Sequence, residues 1–163
     1  MIIVGEYHAK NAADLDVGEL ICFDLGRGRL YGVRTVFGSK PAIVVLKSEE
    51  SGSQGSHLLN PGTVGGCLSF GANWVLEPVL GTELPPGEGC RIPGTLAIHN
   101  EGIHVITKIS AGNSIAAINL AGESGTSDAL AYGAFFREWR IWRTEAEMGG
   151  TPIVSMEQKS PPP

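Results

Sequence analysis

Twenty-three glycines and ten prolines divide this chain of 163 residues into short segments, and that density of breaks excludes most helical folds. Glycine stands at roughly twice its usual share of about 7%. Helix interiors tolerate neither residue, whereas sheets joined by tight turns need both. Between the breaks lie short apolar runs rich in β-branched residues: Leu20–Leu25, Arg29–Phe37, Ala42–Lys47, Cys67–Phe70, Trp74–Leu80, Thr95–His99, Ile103–Ser110 and Ser114–Ala121. The expected fold is all-β, an antiparallel barrel or sandwich of roughly eight to ten short strands.

Two three-stranded meanders, residues 18–47 and 94–121, share a pattern. Gly18-Glu-Leu20-Ile-Cys-Phe-Asp24-Leu-Gly26 lies over Gly94-Thr-Leu96-Ala-Ile-His-Asn100-Glu-Gly102, and across a gap Val33–Val36 is set against Ile106–Ile109. Such self-similarity can mark an architecture of repeated units. Two unrelated meanders sharing turn chemistry would look alike as well, and that plainer account is the favoured one. Residues 48–66, containing Ser51-Gly52-Ser53-Gln54-Gly55-Ser56, read as a long polar surface loop.

The segment 131–148 carries aromatic residues at helical spacing, with Ser127-Asp128 as a possible helix start, but Gly133 and the surrounding sheet favour a long strand. At most one short helix is expected near 128–147. One domain over 1–150 is expected, followed by an extended, proline-rich tail over 151–163.

Charge and composition narrow the partners. Apolar residues make up 42% of the chain and charged residues 18%, as in a globular protein. The net charge of −5 resides between Lys47 and Arg91, where Glu49, Glu50, Glu77, Glu83 and Glu88 occur without a basic residue. A nucleic-acid binder carries a basic footprint, so nucleic acid is not an expected partner. No run approaches the roughly 18 apolar residues of a membrane span, so no membrane partner is expected either. The start Met1-Ile2-Ile3-Val4-Gly5-Glu6 lacks a basic leader region, so synthesis without a signal peptide, and a cytoplasmic or particle-incorporated location, is expected. Cys22, Cys67 and Cys90 are odd in number and far apart, which fits neither a disulfide scaffold nor a zinc ribbon.

Chemistry-bearing constellations are sparse, and no catalytic residue or cofactor is assigned. Gly122-Glu-Ser124-Gly125 and Gly66-Cys67-Leu-Ser69-Phe-Gly71 both miss the spacing of a nucleophile elbow, and Cys67 reads as an inert strand cysteine. Asp14 and Asp16 alternate without the further oxygens of a calcium loop, and Gly26-Arg27-Gly28-Arg29 is a turn weakly suited to an anion. A hairpin turning at Glu101-Gly102 would set His99 directly opposite His104. That makes a weak candidate metal pair, to which His8 or His57 would have to be added.

The stretch Phe135–Arg143 holds two of the three tryptophans and three of the twelve basic residues. Trp and Arg dominate interface hot spots, so Arg137, Trp139, Arg140, Trp142 and Arg143 are the candidate partner-binding residues. Against this stands the possibility that the aromatics close the domain's own core. The expected function is a non-enzymatic structural or assembly protein, such as a component of a virion or other large particle, binding protein partners: copies of itself or other subunits. A small-molecule or carbohydrate-binding module using Trp74, Trp139 or Trp142 is the alternative, and a metal-dependent enzyme the third.

Overall fold

The computed structural model describes residues 7–49, 55–100, 102–109, 114–122 and 132–157. The chain is mostly β, as expected, in one large mixed sheet and one small sheet. Its first half contributes β1 (His8–Asn11), β2 (Leu20–Asp24), β3 (Arg29–Phe37), β4 (Lys40–Ser48), β5 (His57–Leu59), β6 (Gly66–Ser69) and β7 (Val75–Pro78). The second half contributes β8 (Glu83–Leu84), β9 (Leu96–His99), β10 (Gly102–Lys108), β11 (Ile115–Asn119), β12 (Ala134–Phe136), β13 (Trp139–Trp142) and β14 (Val154–Met156).

The strand order reveals one topology used twice. The first half runs β1-β6-β2-β3-β4 and the second β8-β12-β9-β10-β11, every ladder antiparallel. A short 3-10 turn follows the first strand of each half, at Ala12–Asp14 and at Glu88–Arg91. Hydrogen bonds repeat too. Gly18 N–H donates to Arg34 O (2.8 Å) and Arg34 N–H to Glu19 O (3.0 Å); Gly94 N–H donates to Ile106 O (2.8 Å) and Ile106 N–H to Thr95 O (2.9 Å). Gly18 and Gly94 both hold positive φ, 90° and 99°, where a side chain would be strained. Each of their carbonyls takes an indole N–H, from Trp74 at 2.8 Å and Trp139 at 2.9 Å.

This geometry corrects the sequence alignment of the two meanders by one residue. Leu20 pairs with Val33 and Leu96 with Val105, so Val33 corresponds to Val105, not to Ile106. The hairpin between β2 and β3 is longer than that between β9 and β10, and a gap can be placed at several points within that difference. In a strand the distinction is large, because a slip of one residue exchanges the two faces. Val33 and Val105 both lie in the central core, while Ile106 packs on the far side of its sheet.

Three apolar layers result. The central layer joins the halves: Leu20, Val33, Val44 and Leu46 meet Leu96, Val105, Ile118 and Leu120, with Trp139, Ile141 and Val154 from the small sheet. Outside the first meander, Ile21, Phe23, Leu30 and Ile43 pack with Ala12 and Leu15. Outside the second, Ala97, Ile106, Ala117 and Phe135 pack with Cys90. The halves also meet at two margins. Thr35 Oγ1 donates to Asn119 O (2.9 Å), and Lys108 N–H donates to Ser56 O (2.9 Å), where β5 and β10 touch in parallel.

Two segments differ from their sequence readings. Within 48–66 the structure places β5 and a helical turn, α1 (Pro61–Val64), rather than loop throughout. Asn60 caps it through Gly62 N–H (2.8 Å), and Pro61 supplies a preset φ, so polar residues here start a turn of helix. Among the described residues of 131–148, the expected long strand is two strands, β12 in the large sheet and β13 in the small one, followed by a 3-10 turn at Glu145–Glu147. Thr82 fixes the break: its carbonyl takes Arg137 N–H (2.9 Å) and its hydroxyl takes Glu138 N–H (3.2 Å). Ser127 and Asp128 lie outside the described residues. β14 lies beyond the expected domain boundary at 150, with Val154 fully buried against β13.

Candidate functional site

The aromatic-basic stretch divides between core and surface. Trp139 is 0% exposed and Trp142 3%, so neither offers the exposed platform expected of a partner-binding tryptophan. Both indoles are also committed, Trp139 to Gly94 O and Trp142 to Glu77 Oε2 (2.8 Å). Their aromatic area goes to the protein's own packing. Arg137, Arg140 and Arg143 remain half-buried. Arg140 faces Glu77 on one neighbouring strand and Ser155 on the other, and the Arg143 guanidinium lies 6.0 Å from the Phe70 ring centre.

The histidine hairpin is shifted from its expected register. His99 pairs with Gly102 and His104 with Ala97, so the two imidazoles are diagonal neighbours, with ring centres 6.5 Å apart. His104 is buried, its Nδ1 3.2 Å from Gly102 O. His57, a suggested third ligand, has Nδ1 2.9 Å from Gly55 O. Among the described residues no three His, Cys, Asp or Glu side chains converge to hold a metal.

Elsewhere polar groups serve the fold. Asp24 Oδ1 takes the N–H groups of Gly26 (2.6 Å) and Gly28 (3.3 Å), so these donors of the Gly26–Arg29 turn point inward rather than at an anion. Buried Glu19 takes Lys10 Nζ and Ser69 Oγ at 2.7 Å on Oε1, and Asp16 N–H at 2.6 Å on Oε2. Burial pushes its carboxyl pKa up, but the bonds from Lys10, Ser69 and Asp16 outweigh that and hold it below the usual 4.5. A lowered native pKa adds stability that is present above the unfolded value and lost as the pH falls through the native one. Glu19→Gln is therefore expected to flatten the loss of stability below about pH 4.5 in urea melts run at a series of pH values. An unchanged acid limb would show that other carboxylates set it.

A groove of about 520 Å³ opens over the first half, lined by Ala9, Cys22, Asp24, Arg29, Cys67 and Leu68 among others. Burial pushes both thiols above their ordinary pKa, which keeps them protonated and poorly nucleophilic. Cys67 is buried on β6, with its Sγ 3.6 Å from Lys10 O.

The sharpest contrast lies in the small sheet, ordered β14-β13-β7. Trp74 and Trp139 are equivalent through their bonds to Gly18 and Gly94, so two residues further on Leu76 is equivalent to Ile141. These two residues pair directly, which is the signature of a local twofold axis between β7 and β13. Their burial nevertheless differs. Trp139 and Ile141 are fully buried, with β14 on the far side of β13, whereas Trp74 and Leu76 are half-buried. Among the described residues no strand pairs with the outer edge of β7. Reading the sequence by local pattern missed this edge, because it emerges only when the two halves are superposed; Trp74 was singled out, but for a different role.

No family model, curated protein or solved structure matches the chain. Among the described residues no helix is long and apolar enough to cross a membrane.

Proposed function

We propose that this chain is a non-enzymatic structural or assembly protein that works through a protein–protein surface, as a component of a larger particle. One observation carries the reading: Trp74 and Leu76 stay half-exposed at a strand edge that no described strand pairs, while their equivalents Trp139 and Ile141 are buried next to β14. An apolar strand edge is a template for another chain; Glu77 and Pro78 blunt the C-terminal end of this one, while Trp74, Val75 and Leu76 carry neither charge nor proline. Leu80, two residues beyond β7, is 80% exposed.

The test is the mass of the full-length protein recovered from its native cells under mild conditions. Light scattering is expected to report a mass well above 17.1 kDa, falling to the monomer value in Leu76→Lys. A monomer at every concentration, with no associated chain, would overturn the reading. A small-molecule-binding module is the second reading, favoured by the groove over Cys22 and Leu68, whose 520 Å³ falls within the usual range of ligand sites.

A further inference from the structure

We infer that the outer edge of β7 receives an extended strand from a different polypeptide, apolar at alternate positions and flanked by basic residues. This rests on the assembly reading above and names the partner's chemistry.

The backbone geometry defines the site. Val79 N–H donates to Glu138 O (3.0 Å), on the β13 side. N–H and C=O groups in an antiparallel strand alternate sides, so Val75 and Glu77 also face β13 while Leu76 presents its pair to the outer edge. The equivalent group in the second half is occupied: Ile141 O takes Ile153 N–H (2.9 Å) at the edge where β14 pairs. β14 thus supplies a template for a strand docked on the outer edge of β7. It covers Trp139, Arg140 and Ile141 with Met156, Ser155 and Val154, and the matching positions at the outer edge of β7 are Trp74, Val75 and Leu76. Pro78 has no N–H to offer, which ends the docking run near Glu77 and guards the rest of the edge.

Charge selects the occupant. β7 lies inside the stretch between Lys47 and Arg91, which holds five glutamates and no basic residue. Glu77 stands on the strand itself, with Arg140 opposite it on β13 and no described strand on its other side. A basic residue next to the docked segment completes that row. The chain's own β14 segment is followed by Glu157 and Lys159, which balance in charge, so a segment with only basic flanks is the better match.

The probe is a synthetic peptide carrying Ile-Val-Ser-Met between lysines, added to the intact isotope-labelled protein. Hydrogen exchange at the Leu76 amide is expected to slow by about tenfold or more at saturation, with a shift of the Trp74 indole signal. Binding should weaken as salt rises and in Glu77→Gln, which keeps an oxygen for the Trp142 indole. A Leu76 amide unmoved by the peptide overturns the inference. So does an amide already protected without it: loss of that protection on deleting residues 1–6 would identify this chain's own N-terminus as the occupant. Dependence on protein concentration would instead identify a second copy. A chain that assembles in cells yet ignores the peptide sinks this inference alone. A chain that binds the peptide but never associates in cells sinks the assembly reading and leaves the strand site.

Discussion

Trp139→Ala is expected to lower the unfolding free energy by about 3–5 kcal/mol, the usual range for a buried tryptophan, while Trp74→Ala costs at least about 1 kcal/mol less. The two residues make the same bond, indole N–H to the carbonyl of a positive-φ glycine, at 2.9 Å and 2.8 Å. Loss of that bond is therefore a shared cost, on the order of 1 kcal/mol. What separates them is packing. Trp139 is fully buried and packs with Ile141 and Val154 in the central core, so truncation leaves a cavity between the halves. Trp74 lies half-buried against the same core, and water can fill part of the space it vacates. Urea unfolding of both variants, compared at equal slope, measures the difference. Equal losses would mean that the edge of β7 is covered in solution as fully as β13 is.

How far sequence reasoning reached depends on the range of the signal. The strands and turns were legible because glycine, proline and β-branched runs act within a few residues: the meanders 18–47 and 94–121 both form as read, although Ala111-Gly112-Asn113 lie outside the described residues. The pattern shared by the halves was visible through Gly18-Leu20 and Gly94-Leu96, where identical residues meet an identical backbone demand, but so few identities favoured two unrelated meanders over the one topology used twice. The alignment slipped by one residue beyond the hairpins, because loop length differs there and nothing local marks the register. The Phe135–Arg143 strip was ambiguous for a different reason. Burial of Trp139 and Trp142 depends on β7, β14 and Gly94, all distant in sequence, and no strand pattern reveals which face will be covered. The same holds for His99 and His104, whose separation hinges on whether the hairpin pairs His99 with Gly102 or with His104.

Gly32→Ala is expected to destabilise the protein by about 1–3 kcal/mol, against the gain that alanine normally brings to a strand interior. A Cβ at Gly32 would stand 2.8 Å from Ile43 Cγ2 and 2.9 Å from Val44 O, closer than real contacts allow. The two halves show why. Val33 corresponds to Val105, so Gly32 corresponds to His104; by the same registers Ile21 corresponds to Ala97 and Ile43 to Ala117. The outer layer of the first half uses two isoleucines around a glycine, and that of the second uses two alanines around a buried histidine. Volume is moved between positions while the backbone repeats, as close packing requires. Ile43→Ala alone opens a cavity and costs about 2–5 kcal/mol. Combined with Gly32→Ala it also removes the side-chain clash, so the double variant should lose less than the sum of the singles by at least about 0.5 kcal/mol. The clash with Val44 O persists, so recovery is incomplete. A double-mutant cycle by urea unfolding reads this coupling directly, and strict additivity would show that Ile43 is not what excludes a side chain at position 32.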